Sequence, residues 1–174
     1  MRKLIFALTF AMVMPVMAGQ PPEIVVGFSP STSHDAQNNV LSIINSARHS
    51  LDVAAYLFTS KPIAIALLNA RQRGVSVRVV ADKKANSDRY TAATFLANHH
   101  IPVRLDGHYA TMHNKFIVAD RRSVETGSFN YTISADKHNA ENALLIRNAP
   151  ELAAKYQQEF NRLWNESRPL NHHD

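Results

Sequence analysis

The chain has 174 residues, of which 45% are hydrophobic and 19% charged, enough for one domain and too apolar for a disordered chain. It contains no cysteine, which excludes disulfides, thiolate zinc sites and cysteine nucleophiles. With 19 Lys+Arg against 14 Asp+Glu it is mildly basic, a balance compatible with a polyanionic substrate.

Residues 1–18 read as an export signal. Arg2 and Lys3 precede an uncharged apolar run from Leu4 to Val13, and Val16-Met17-Ala18 fits the small-residue cleavage rule. Removal would leave residues 19–174 as a single domain with net charge +3, periplasmic or secreted, without stable membrane insertion. Glu23–Phe28 is expected as a strand. Thr32 and Asp35 give a capping-box signal for a helix carrying Ala36, Val40, Ile43, Ile44 and Ala47. Leu51–Leu57 is an apolar run of strand length. Ser60 is expected to cap a helix with Ile63, Leu67 and Ala70 on one face, closed by Gly74. Val75, Val77, Val79 and Val80 mark a buried strand, Asp88–Asn98 a helix and Ile101–Leu105 a strand, followed by a hairpin signal at Asp106-Gly107. Phe116–Ala119 and Ala143–Ile146 are two further strands. Pro150 opens a last helix with Leu152, Tyr156, Phe160 and Leu163 on one face, and the chain is expected to fray beyond Trp164. Alternating strands and helices predict an α/β fold: a mixed, partly parallel sheet flanked by helices on both faces, with its site at strand ends.

The chemistry concentrates between Met112 and Asn130. His113 and Lys115 are two apart, so on an extended chain they project together with Asn114 turned away. Ser128 and Asn130 are also two apart, after Gly127, which permits a tight turn. If the two segments are neighbours, imidazole, ammonium, hydroxyl and amide converge on one point. One nucleophile or base with several anion-binding donors suits a phosphate group.

The pattern His113-x-Lys115-x4-Asp120-x6-Gly127-Ser128-x-Asn130 resembles the signature of the phospholipase D superfamily, with every defining position at the family spacing. Glu141, in His138-Asn139-Ala140-Glu141-Asn142, falls where that family often has an acidic residue. The signature occurs once, in a short chain with an export segment, which is most similar to the family's bacterial endonuclease branch. The resemblance implies a two-step displacement. A neutral histidine attacks phosphorus to form a phosphohistidine, a second, protonated histidine gives its proton to the leaving alkoxide, and water then hydrolyses the intermediate. One chain supplies one such histidine, so the expected active unit is an isologous homodimer. Lys115, Ser128 and Asn130 would hold the nonbridging oxygens, and Glu141 could accept a hydrogen bond from His113 and set its tautomer. Asp120 is expected to shape the turn Asp120-Arg121-Arg122, with Gly127 a structural position beside it.

No cofactor or metal is expected. His99-His100 and His172-His173 lack carboxylates at ligand spacing, and Asp82, Glu125 and Asp136 do not form a two-metal pattern. Arg71, Arg73, Arg78, Lys83, Lys84 and Arg89 are either a nucleic-acid track or solvating charges. Tyr56, Tyr109 and Phe129 either stack on bases or fill the core. If one chain were active alone, His108 or His138 would have to supply the acid. The expected activity is a metal-independent phosphodiesterase, a sequence-nonspecific endonuclease on DNA and possibly RNA. The competing readings are a phospholipase D acting on lipid head groups and a non-catalytic polyanion-binding module.

Overall fold

The computed structural model describes residues 20–88 and 90–170, so the expected export segment, Arg89 and the His172-His173 pair lie outside the described residues. The elements are β1 (Glu23–Ser29), α1 (Asp35–Ser46), β2 (Ser50–Ala55), α2 (Lys61–Gln72), β3 (Ser76–Asp82), α3 (Ala92–Asn98), β4 (Val103–Asp106), β5 (Phe116–Ala119), β6 (Ser123–Gly127), α4 (Ile133–Lys137), β7 (Glu141–Arg147), α5 (Pro150–Glu166) and β8 (Arg168–Pro169). They build one sheet in the order β1-β7-β6-β5-β2-β3-β4-β8. β2, β3 and β4 run parallel, and the remaining pairings are antiparallel. The expected α/β architecture is therefore present, with helices on both faces.

Alternation along the strands makes two cores. On one face Val53, Val79, Ile117 and Leu145 pack with Val40, Ile43, Ile63, Leu67 and Leu96 of α1–α3. On the other, Ala54, Val80, Phe116, Val118 and Val124 pack under Ala153, Phe160 and Leu163 of α5. That second face is covered only in its middle. On the edge strand β1, Ile24, Val26 and Phe28 are 65%, 51% and 61% exposed, whereas Gly27 on the opposite face abuts the start of α1, with a Cβ position 2.5 Å from the Asp35 backbone. Ile24 lies across from Ile146, Val26 from Leu144 and Phe28 from Asn142. The uncovered apolar stripe thus runs up to Asn142.

Several sequence expectations are corrected. α1 starts at Asp35, but its N-cap is His34 in the left-handed region, with no capping box; Ser31 Oγ accepts the Asp35 amide instead, and the His34 ring is engaged by Asp136 at 2.8 Å. Ser60 precedes α2 without a side-chain cap bond. α3 begins only at Ala92, because Thr91 caps it through the Thr94 amide and Asp88 is used in the preceding turn, accepting the Tyr90 amide. Asp106-Gly107 is not a hairpin: β4 lies parallel to β3, and the Asp106 carbonyl accepts the Lys83 amide that continues β3. The chain instead crosses by residues 107–115 to reach β5 beside β2. The expected fraying after Trp164 is absent through residue 170. α5 continues to Glu166, Arg104 donates to the Trp164 carbonyl at 2.7 Å, and Arg168-Pro169 pairs with β4.

Candidate active site

β5 is antiparallel to both β2 and β6, and β6 is antiparallel to β7. The end of β2, the approach to β5, the end of β6 and the start of β7 therefore meet at one edge of the sheet. They enclose an open cleft of about 580 Å³ lined by His113, Lys115, Ser128, Asn130, Glu141 and Asn142 among others, with Tyr156 contributed by α5.

His113 and Lys115 lie in the loop just before β5, and their side chains project together as the spacing suggests. Lys115 Nζ is 2.8 Å from His113 Nδ1 and 3.1 Å from Nε2, and donates to the His113 carbonyl at 2.8 Å. The lysine is buried and the imidazole is exposed. Tyr56, just past β2, walls the pair: its ring is 4.6 Å from the His113 ring and 5.3 Å from Lys115 Nζ. Burial holds the Lys115 ammonium below the ordinary lysine value, while the Glu141 charge acts in the opposite direction. Asn114 points away, donating to Glu159 of α5 at 3.3 Å.

Ser128 and Asn130 leave the end of β6. The amides of Ser128 and Phe129 both donate to the Asn142 carbonyl, and Ser128 Oγ accepts from the Asn142 amide and from Asn142 Nδ2. Those two bonds leave the hydroxyl hydrogen for another acceptor. Asn130 Oδ1 is buried without a hydrogen-bond partner among the described residues. Gly127 is required by proximity rather than by a turn: it has no positive φ, but a Cβ would stand 2.2 Å from the Asn142 carbonyl oxygen.

Glu141 reaches the cleft but does not make the expected bond to His113 within this chain. Its carboxylate accepts from Asn139 Nδ2 at 3.1 Å, so its effect here is electrostatic, on Lys115. Asp120, expected to shape its own turn, reaches further along the chain. Its carboxylate accepts the amides of Arg48, His49 and Ser50 at 2.7–2.9 Å, clamping the α1–β2 loop to the end of β5. Asp120 and Arg121 adopt positive φ in that turn. Phe129 is 1% exposed and belongs to the core.

Asp82, Glu125 and Asp136 are separately engaged, by the Ala85 and Met112 amides, by Tyr131 and by His34 respectively. Among the described residues no group of three His, Asp or Glu side chains could hold a metal ion. The basic residues do not form one track: Arg78 is paired with Asp52 and Arg73 binds the carbonyls of Ile44 and Asn45, while Lys83 and Lys84 lie at the edge that carries the cleft. The sequence analysis missed Asn142, Thr126 and Tyr156 as cleft residues. Asn142 directly follows Glu141, but nothing local in the sequence marks it as the acceptor that shapes the Gly127–Asn130 segment.

Residues 40–164 match the family described as cardiolipin synthase, PLD-like domain. A phospholipase D of Rickettsia prowazekii is 38% identical over 121 residues, 70% of this chain and 58% of that protein. The mitochondrial cardiolipin hydrolase of Xenopus tropicalis is 35% identical over 137 residues, 79% of this chain and 65% of that one. The chain thus spans under two thirds of the length of these curated relatives. Among solved structures, a phospholipase D family member, Nuc from Salmonella typhimurium, superposes with a TM-score of 0.83 at 40% identity, over 87% of this chain and 99% of that one. NucT from Helicobacter pylori gives 0.78 at 25% identity, over 86% and 100%.

Proposed function

The chain belongs to the phospholipase D superfamily, and from that premise we propose that it is an exported phosphodiesterase that cleaves DNA through a phosphohistidine in a homodimer, without a metal ion. The observation that carries this reading is the convergence of one exposed imidazole with Lys115, Ser128 and Asn130 in a single polar cleft. Lys115 Nζ lies against both ring nitrogens of His113, and a neutral imidazole offers a lone pair on one of them. That is the form of His113 able to attack phosphorus.

In the first step a His113 nitrogen bonds to phosphorus as the bond to the leaving oxygen breaks, and that oxygen takes a proton from His113 of the partner subunit. In the second, water attacks phosphorus, the now neutral imidazole accepts its proton and the P–N bond breaks. Lys115, Ser128 and Asn130 hold the nonbridging oxygens as charge redistributes, and such donors act strongly where water is excluded. The need for a second imidazole calls for a dimer, and the stripe Ile24, Val26 and Phe28 offers a surface for one. It is exposed in the single chain and reaches the cleft through Asn142; a two-fold contact there would bury it and bring two clefts together.

A phospholipase D reading draws on the same stripe, taken as a surface for lipid. The polar lining of the cleft favours a polynucleotide. No helix among the described residues is long and apolar enough to cross a membrane. Incubation with plasmid DNA and with phosphatidylcholine vesicles, both in EDTA, tests the proposal. Nicked and linear DNA with intact lipid is expected. Choline release with intact DNA would replace the reading by the lipase, and a requirement for added Mg²⁺ would refute the mechanism.

A further inference from the structure

A second cleft of about 610 Å³ opens at the same edge of the sheet, beyond the ends of β3 and β4, lined by Lys83, Leu105, Gly107, His108, Glu166, Arg168 and Pro169. We propose that this cleft, outside the catalytic one, holds the phosphate backbone of a nucleic-acid strand that flanks the scissile bond, an inference that rests on the substrate being a polynucleotide.

Its charge is one-sided. Lys83, His108 and Arg168 are exposed, and Lys84, next to Lys83 in sequence, donates to the Ala110 carbonyl at 3.5 Å. The single carboxylate of the lining, Glu166, is already occupied, accepting from Arg162 at 3.0 Å and from Tyr109 at 2.7 Å. The neighbouring Asp106 is 1% exposed and turned inward, where it accepts the His108 amide at 2.8 Å. That bond orients the His108 backbone at the mouth of the cleft. The Lys83 stem packs against Gly107, whose Cβ position is 3.0 Å from Lys83 Cδ. A side chain at 107 would displace that stem, so the small residue fits the lysine against the cleft wall.

The cleft is joined to His113 by a continuous wall. Residues 108–113 link the two directly and span at most about 18 Å. Arg162 bridges Glu159 and Glu166, and Glu159 accepts from Asn114, next to the nucleophile. A strand held at His113 by one phosphate can thus place a nearby phosphate among Lys83, His108 and Arg168. A small diester cannot reach them. These contacts carry no base information, which agrees with a sequence-nonspecific enzyme.

The test compares wild type with the double variant Lys83→Ala/Arg168→Ala on bis(4-nitrophenyl) phosphate, on a labelled single-stranded oligonucleotide across a salt series, and in binding to phosphatidylglycerol vesicles. Turnover of the small diester should be unchanged. KM for the oligonucleotide should rise about ten-fold, and the log–log salt slope should shrink by about 1.4, the loss of two phosphate contacts on a single strand. Unchanged oligonucleotide KM and slope would overturn the cleft alone. So would parallel loss on the small diester, or an effect confined to binding of phosphatidylglycerol vesicles, which would assign the charge to a lipid surface. Wild-type protein that hydrolyses the small diester but no nucleic acid would overturn the polynucleotide reading and the cleft with it.

Discussion

Lys115 Nζ stands within 3.1 Å of both ring nitrogens of His113 while bonded to that residue's own carbonyl. The imidazole and the ammonium proposed as nucleophile and principal cation are therefore held as one unit by a single short loop, and a change to either disturbs both. Burial already lowers the Lys115 pKa and Glu141 raises it, so the alkaline limb of the activity profile should lie below the usual lysine range. Glu141→Gln removes the opposing charge, and that limb should move to still lower pH. An unmoved limb in pH–rate profiles of the variant would show that Lys115 does not set it. Lys115→Met should lower kcat by about 10²–10³-fold, and Lys115→Arg should not rescue it, since a planar fork does not replace a buried point charge.

His113→Ala should reduce turnover by at least about 10⁴-fold, the scale of losing a nucleophile. The imidazole is exposed, so circular dichroism and melting temperature should stay at wild-type values. Appreciable cleavage by a folded His113→Ala protein would remove His113 from the mechanism.

Val26→Asp places a charge in the middle of the stripe that ends at Asn142. Sedimentation should then give a monomer for the variant and a dimer for wild type, with cleavage lost although every cleft residue is intact. A dimeric and active Val26→Asp protein would move the interface elsewhere. An active monomer would require the acid to come from within the chain, from His108 or His138.

Glu125 is fully buried in the main core, and burial pushes its carboxyl up to about 8, against the pull of the Tyr131 hydroxyl bond. Between its ordinary value and about 8 the unfolded chain sheds a proton that the folded chain keeps, so this group makes stability fall as pH rises through that window and level off above it. Glu125→Gln cannot ionise. Denaturant unfolding at pH 5 and pH 8 should show a smaller loss for the variant than for wild type, the slope being about 1.4 kcal/mol per pH unit inside the window. Equal losses in the two proteins would mean that Glu125 ionises in the fold as it does in water.

Asp120→Ala should cost about 2–4 kcal/mol, because three amides of the α1–β2 loop lose a charged acceptor. Burial raises the Asp120 pKa, but the bonds from Ser50, Arg48 and His49 outweigh it and hold the value below the usual one. Its contribution is thus complete above the ordinary Asp value and is lost as pH falls through the folded one. The gap between wild type and variant in acid titrations should close there. A gap that stayed constant into acid would contradict the clamp.

The fold class and the cleft were legible for a common reason: the apolar runs that make β2, β3 and β5 are short, interrupted only by Asp52 and Arg78, and bounded by turn residues, and the motif's polar residues sit just before β5 and just after β6. The strand β6 was not legible. Ser123-Val124-Glu125-Thr126-Gly127 carries a carboxylate at a core-facing position, which reads as loop until Tyr131 is seen to satisfy it. The short helix α4 had too few residues to show a period. The expected hairpin at Asp106-Gly107 failed because turn residues report a local bend and not which strand follows. Glu141 illustrates the same limit for chemistry: its place in the cleft followed from the motif, but its partner depended on Asn139, a neighbour whose side chain no pattern singled out.

The pairing of β1 with β7 also dictates when the sheet can be completed. Each β1 residue waits for a partner 112–124 positions further along the chain. At about 5–20 residues per second, the ribosome delivers that partner roughly 6–25 s later. During that interval Ile24, Val26 and Phe28 belong to a nascent ribbon with neither backbone edge paired, a ready template for pairing with another chain. A truncation between Asp106 and Glu141 makes the interval permanent, so such termination products should aggregate through their first strand even though the whole parallel unit β2–β4 has already been made.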